Sequence, residues 1–551
     1  MFNMSTFTNK KRQEDKQVLN DQIDVLVIGG GITGAGIALD AATRGYKVAV
    51  LEMQDFAAGT SSRSTKLVHG GLRYLKNFEI KLVAEVGKER EIVYENGPHI
   101  TTPEWMMLPF YKDGTFGPFS TSIGLRVYDF LAGVKKGERR KMLSKEETMK
   151  REPLLKQTDL KGSGYYVEYK TDDARLTIEV MKKAVEKGAY AFNYMKVEQL
   201  LYNDGQVTGV KVKDLTDNQE HEIHSHYVVN AAGPWVDDIR TMDQSKKGKH
   251  LFHTKGVHLV FDKEKFPLSQ AIYFDTPDGR MLFAIPRDGK TYVGTTDTHY
   301  EEDLTNPKAT NEDRDYIMDA IEFMFPDIEL SYDDIESTWA GIRPLIHEEG
   351  KDPSEISRKD EILESDSGLL SIAGGKLTGY RKMGEHVIDL VGKKLNSEHG
   401  HAFEKSQTKD LPLAGGEVGG SKGFSKFIQS MVQEAEQNEL DKKMVLTWVN
   451  RYGANTKKVL EYYYELDGQH ELPKDVLAEL NYCLNDEMVY KPTDFLIRRT
   501  SSLFFDIDWV EKHKENVMQE MKNYFDWTDD QFKQYEAELN QTIEEARLGQ
   551  L

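Results

Sequence analysis

Short apolar runs closed by glycine clusters alternate with helix-like segments through the first four hundred residues. The first run, Val25-Leu26-Val27-Ile28, leads through Gly29-Gly30-Gly31-Ile32-Thr33-Gly34-Ala35-Gly36 into the Ala-rich stretch Ile37 to Ala42. That order predicts a strand, a glycine turn and a helix. A second strand, Lys47-Val48-Ala49-Val50-Leu51, ends in Glu52. Two later segments repeat the strand-to-turn pattern: Tyr227-Val228-Val229-Asn230 entering Ala231 to Trp235, and Leu369 to Ala373 entering Gly374-Gly375-Lys376-Leu377-Thr378. The latter leads into a helix through Arg381 and Glu385.

Three such turns separated by long insertions predict an α/β fold: a discontinuous Rossmann-like nucleotide domain with a substrate domain built from the insertions. The site is expected at their junction. After about Gly415 the period changes. Phe424 to Asn438, Lys442 to Tyr452, Thr456 to Leu466 and Asp475 to Leu484 carry apolar residues at helical spacing, which predicts an all-α C-terminal domain. The Gly415-Gly416 and Gly419-Gly420 stretch falls near the linker. The expected division is an N-terminal extension (1–20), the nucleotide domain (21–100, 170–245 and 365–400), the substrate domain (101–169 and 246–364) and the helical domain (401–551).

The first turn has a specific chemistry. Gly29 allows the tight turn, Gly31 lets backbone approach a pyrophosphate, and Gly34 lets the helix pack on the strand, so that the helix N-terminus faces phosphate charge. Glu52 stands where an acid binds a ribose 2′-hydroxyl. Together these residues predict a bound adenine dinucleotide. They do not choose between NAD and FAD.

A length of 551 residues implies two or three domains. The net charge of -20 argues against nucleic acid and requires any anionic substrate to meet a local cluster of Arg and Lys. The single cysteine, Cys483, is expected to be a buried apolar residue, and no Cys/His spacing suggests a metal, which favours a reducing compartment. The first twenty residues are polar, with no apolar signal core behind them. The longest uncharged run, Val25 to Leu39, is shorter than the roughly 20 residues of a spanning helix. A cytoplasmic protein is expected.

The ordered motifs carry a resemblance. They are the Gly29 turn, Glu52, Thr60-Ser61-Ser62, Lys66-Leu67-Val68-His69-Gly70-Gly71-Leu72-Arg73-Tyr74-Leu75, Asp172 to Leu176, Asn230 to Trp235, Gly294-Thr295-Thr296-Asp297, Gly341-Ile342-Arg343-Pro344-Leu345 and Gly374 to Arg381. Together they resemble the FAD-dependent glycerol-3-phosphate dehydrogenase family from about residue 22 to 400. Ile497-Arg498-Arg499-Thr500 resembles that family's C-terminal domain.

The resemblance implies a nucleotide domain of the amine-oxidase or glycine-oxidase kind, with a mixed-sheet substrate domain and non-covalent FAD. The implied cofactor contacts are Gly29, Gly31, Gly34, Glu52, Thr60, Ser61, Ser62, Lys66, Leu67, His69, Gly70, Val197, Ala232, Gly233, Gly375, Leu377 and Thr378. Gly374 and Gly375 start a helix whose N-terminus would stabilise negative charge developing on the flavin.

Arg73 and Arg343 lead as phosphate and substrate contacts, because guanidinium fits phosphate in bidentate fashion. Tyr74, Lys376 and the weaker Arg358 join them; Arg358 also reads as part of an exposed charged loop. Oxidising a secondary alcohol needs a base near neutral pKa, and His258 falls where the family has a strand histidine beside the pocket. Arg343 and Lys376 would stabilise the developing alkoxide.

By the same resemblance, sn-glycerol 3-phosphate is oxidised to dihydroxyacetone phosphate and electrons pass to a membrane quinone. That requires peripheral contact with the inner face of the membrane. The candidate surface is the amphipathic stretch Ile123 to Leu131 followed by the basic run Lys135-Lys136-Gly137-Glu138-Arg139-Arg140-Lys141. The alternatives are an oxidase delivering electrons to oxygen, a relative acting on an amine, and a flavin-binding regulator without turnover. The tail is compatible with a cap, a homodimer surface or a partner site.

Overall fold

The computed structural model describes residues 7–69, 80–112, 114–115, 117, 125, 137, 139–350 and 360–547. Its first sheet is built from the predicted glycine-turn strands. β1 (Ile23–Ile28) is fully buried, turns at Gly29 and continues as α1 (Ile32–Thr43). β2 (Val48–Leu51) and β3 (Glu220–Asn230) flank β1 in parallel, and β4 (Leu370–Ala373) lies parallel to β3. Strands buried on both faces read as continuous Val/Ile/Leu runs, which is why these four were legible. Tyr190–Phe192 extends the sheet beside β2, and Glu361–Glu364 closes its other edge antiparallel to β4. A hairpin of Met195–Asn203 and Gln206–Asp214 pairs with the start of β3.

α2 (Tyr380–His399) follows β4 and packs on α1 through small residues. A Cβ on Gly384 would sit 2.6 Å from the Gly36 carbonyl oxygen, so both helices need glycine where they cross.

Among the described residues the second sheet has ten strands and mixed pairing. Its long members are Thr101–Tyr111, Leu160–Thr171, Lys249–Asp262 and Ile335–Glu348, and Ala271–Asp275 pairs in parallel with Thr101–Tyr111. Leu67–Val68, which the sequence puts in the nucleotide portion, hydrogen-bonds to Leu160–Thr171 in this sheet. The chain therefore crosses from one sheet to the other immediately after the Thr60-Ser61-Ser62 turn.

The tail is helical, as its period predicts, from Gly420–Gln437 through Asp529–Ala546. Phe504 and Phe505 pack against Trp339 of the second sheet. Cys483 is buried, with its sulfur 3.6 Å from the Tyr452 hydroxyl. The N-terminal segment is less separate than its polar composition suggested: Arg12 is 2% exposed, donating to the Asn193 carbonyl and to Asp214. Among the described residues no helix is long and apolar enough to cross a membrane. The segment 123–131 lies outside the described residues except for Leu125, which is buried, and of 135–141 only 137 and 139–141 are described.

Candidate active site

Two cavities meet between the sheets. The larger, about 480 Å³, runs along the ends of β1, β2, β3 and β4 and is lined by Gly29, Gly31, Glu52, Thr60, Ser61, Val197, Ala232, Gly233, Gly375 and Leu377. The smaller, about 190 Å³, is lined by Thr60, Leu67, His69, His258, Arg343, Lys376, Leu377 and Thr378. Thr60, Ser64, Lys376 and Leu377 belong to both walls, so the two spaces are immediate neighbours.

The large cavity has the form of a nucleotide cradle. Gly29 has φ +110°, and a Cβ there would lie 2.4 Å from the Ala231 carbonyl oxygen. Gly34 does not line the cavity; it allows the turn, because its Cβ would fall 1.9 Å from the Gly29 carbonyl oxygen. Ser61 Oγ accepts the Ile32 N–H at 3.0 Å, satisfying one of the free donors at the start of α1. Glu52 accepts the Gly30 N–H at 2.7 Å and the Gln54 N–H at 2.8 Å, which fixes the carboxylate at the cavity wall. Burial raises its pKa, and those two N–H groups oppose the rise. A charged carboxylate has four lone-pair sites, so capacity remains for ribose hydroxyls. The glycine cradle, the helix N-terminus and the acid at the end of β2 fit an adenine dinucleotide.

The small cavity holds the candidate chemistry. His258 is 1% exposed, its Nε2 is 3.1 Å from Thr65 Oγ1, and its ring stacks on Trp339 at a centroid distance of 4.6 Å. Close approach is possible because residue 294 on the facing strand is glycine; a Cβ there would be 2.3 Å from His258 Cδ2. Burial first, then the charges of Arg343 and Lys66, push the His258 pKa well below the ordinary histidine range. The shift leaves the ring unprotonated and open to a proton, and it makes His258 a weaker base than the near-neutral one the sequence called for. Arg343 faces the same space, with its guanidinium donating to Thr295 Oγ1 (2.9 Å), the Thr296 carbonyl (3.1 Å) and Asp297 Oδ1 (3.1 Å).

Other predicted residues fall differently. The Lys66 ammonium does not face either cavity: it is buried, donating to Asp173 Oδ1 at 2.6 Å and the Ser62 carbonyl at 3.0 Å. A long cation placed behind the cavity wall needs a buried counterion, and Asp173 provides it. Ser62 is likewise buried outside both linings. Thr378 donates to the His69 carbonyl at 3.3 Å, tying the Gly375 turn to the strand end at residue 68. Burial lowers the His69 pKa. Gly70, Arg73, Tyr74 and Arg358 lie outside the described residues.

Sequence reasoning missed several supports. Thr65 and Trp339 hold the His258 ring, and Thr65 carried no signal beyond its place in the Thr60 to Leu75 block. Trp235, Pro344 and Asp238 complete the large cavity. The Trp235 ring packs closely on Gly59, 3.2 Å from where a Cβ on that residue would be.

Comparison with known proteins gives the same assignment. The family described as FAD dependent oxidoreductase matches residues 24–381, and the C-terminal domain of alpha-glycerophosphate oxidase matches residues 406–532. The chain is 59% identical over 526 residues to an aerobic glycerol-3-phosphate dehydrogenase of Bacillus subtilis, covering 95% of each chain. It is 57% identical to one of Staphylococcus aureus, covering 99% of each. A crystal structure of glycerol-3-phosphate dehydrogenase from Bacillus halodurans complexed with FAD is similar with a TM-score of 0.84 and 47% identity, covering 97% of this chain and 98% of that one. With FAD as its cofactor and a helical domain behind the cofactor domain, the chain belongs to the FAD-dependent aerobic glycerol-3-phosphate dehydrogenase family.

Proposed function

We propose that the chain oxidises sn-glycerol 3-phosphate to dihydroxyacetone phosphate and delivers the electrons to a membrane quinone. The observation that carries this reading is the buried His258, its ring held by Thr65 and Trp339, in one small cavity with the oriented Arg343 and sharing a wall with the nucleotide cradle. Gly29, Gly31, Glu52, Val197, Ala232, Gly233 and Gly375 would hold FAD, which when bound supplies the acceptor for the C2 hydride.

The remaining work falls to protein groups. His258 accepts the C2 hydroxyl proton, with its ring held by Thr65 and Trp339. Arg343, already oriented by Thr295, Thr296 and Asp297, binds anionic oxygen and stabilises the developing alkoxide. Lys376, in the wall shared by both cavities, adds positive charge at the same place. Arg73, Tyr74 and Arg358 are the further phosphate contacts in this reading. The enzyme works as a peripheral protein on the inner face of the membrane.

Anaerobic titration with glycerol 3-phosphate, followed by a soluble quinone or by oxygen, tests substrate and acceptor together. Bleaching of the flavin absorbance that quinone restores is the expected result. No bleaching at millimolar substrate refutes the reaction. Hydrogen peroxide formed one-to-one with substrate in the presence of quinone refutes the acceptor and makes the chain an oxidase.

A further inference from the structure

Far from both cavities, at the opposite end of the nucleotide sheet, Asp24 at the start of β1, His226 on β3 and His401 just beyond α2 bring one ligand atom each to within 4.8 Å of one another. These positions are far apart in sequence, so no spacing motif announces them. His401 Nε2 lies 3.5 Å from Asp24 Oδ1, and the ring of His399, the last residue of α2, lies 3.8 Å from that of His226 between centroids. We propose that Asp24, His226 and His401, with His399 beside them, form a binding site for one divalent transition-metal ion of the zinc class.

The donor set is two or three imidazoles and one carboxylate, a combination that suits Zn²⁺, Ni²⁺ or Cu²⁺ rather than Mg²⁺ or Ca²⁺. A tetrahedral ion with bonds of about 2.0–2.2 Å spaces its donors about 3.3–3.6 Å apart. The observed upper spacing of 4.8 Å lies somewhat above that, His226 and His401 are half-buried, and Asp24 is 9% exposed.

Their orientation is already partly set. Asp24 Oδ2 accepts the Lys47 N–H at 2.8 Å, which fixes the carboxylate and leaves Oδ1 turned to His401. Gly400, at φ +73°, ends α2 in a left-handed turn that swings His401 back toward β1. The C-terminal end of α2 also favours a cation. A space of about 360 Å³ lined by His224, His226 and His399 gives an entry path.

The site would clip three elements together. α2 begins just after Lys376, Leu377 and Thr378 in the cavity walls, so a metal at its far end anchors the helix that carries that turn. Binding to the folded state alone raises stability by mass action.

The test is calorimetric titration of chelator-treated holoenzyme with zinc chloride, paired with thermal melts. One equivalent should bind and raise the melting midpoint. His226→Gln and His401→Gln should each weaken binding about tenfold or more and abolish the rise, while His250→Gln changes neither and all three retain turnover. Equal zinc binding by wild type, His226→Gln and His401→Gln overturns the proposal, as does no binding by the wild type.

Discussion

Arg499 grips Asp55 in bidentate fashion, Nη1 to Oδ2 at 2.8 Å and Nη2 to Oδ1 at 3.1 Å, with both side chains fully buried. The pair joins the helical domain to the loop three residues beyond Glu52. Arg498 Nε adds a third bond to Asp55 Oδ2 at 2.6 Å, and Arg499 also donates to the Glu487 carbonyl. Burial works against ionising Asp55, but Arg499 and Arg498 outweigh it and hold its pKa below the usual range. The tail is thus fastened directly to the cofactor loop.

Arg499→Ala leaves Asp55 buried with only part of its counter-charge. Breaking such a pair costs about 3–5 kcal/mol. The variant should melt earlier than wild type and release FAD more readily, both read from flavin fluorescence during a thermal ramp. Replacing both partners, as Asp55→Leu with Arg499→Met, should cost less than Arg499→Ala alone. Wild-type melting of Arg499→Ala would falsify this account of how the tail is attached.

The acid side of the rate profile reports on His258. Its folded pKa lies well below the ordinary histidine value of about 6.5, so the base stays active as pH falls through 6.5. The acid limb of kcat/KM should therefore lie well below pH 6.5. Arg343→Gln removes one of the charges that depress the ring and should shift that limb upward, toward 6.5. His258→Gln should lower kcat by about 10²–10⁴-fold with FAD content unchanged. The same depressed pKa affects stability: the unfolded chain takes up the proton first, so the histidine's contribution is full above about 6.5 and declines as pH drops below it. An acid limb of wild type at or above 6.5 would contradict the burial argument.

What was legible in the sequence was what backbone geometry demands locally. Gly29, Gly34 and Gly294 are glycines because a Cβ would overlap a carbonyl or a ring, and such requirements show up as glycine beside apolar runs. Burial on both faces made β1 to β4 readable as well. Pairings across the chain were not readable: Lys66 looks like part of a cofactor motif until Asp173, 107 residues later, turns its ammonium away. Arg12 looks solvated until Asp214 and the Asn193 carbonyl surround it. A charged residue announces that it needs a partner without saying which one, and only the fold supplies the answer.

Arg343 is held by Asp297, and this makes two substitutions informative. Arg343→Lys keeps the charge and loses the planar fork, so KM for glycerol 3-phosphate should rise on the order of tenfold to a hundredfold, as expected when a charge-assisted hydrogen bond is lost. Asp297→Ala keeps the guanidinium and loosens its aim; a smaller rise in KM is expected, with FAD content unchanged. Steady-state kinetics on both variants decides the matter, and an unchanged KM in Arg343→Lys would remove Arg343 from substrate binding.

Gly34→Ala tests the cradle without touching the cavity wall. The added methyl would lie 1.9 Å from the Gly29 carbonyl oxygen and 3.5 Å from Val27 Cγ1, so α1 must move off β1 or the turn must open. Either movement displaces the helix N-terminus from the pyrophosphate position. The purified variant should be nearly colourless and should regain little absorbance when FAD is added. Gly188→Ala is the matched control: its φ of +102° is also unfavourable to alanine, but nothing lies within 4 Å of the new methyl and the residue is remote from the cavity. It should lose about 1 kcal/mol of stability from backbone strain alone and keep its flavin. If Gly34→Ala keeps its flavin as well, the close helix-to-strand approach is not what builds the site.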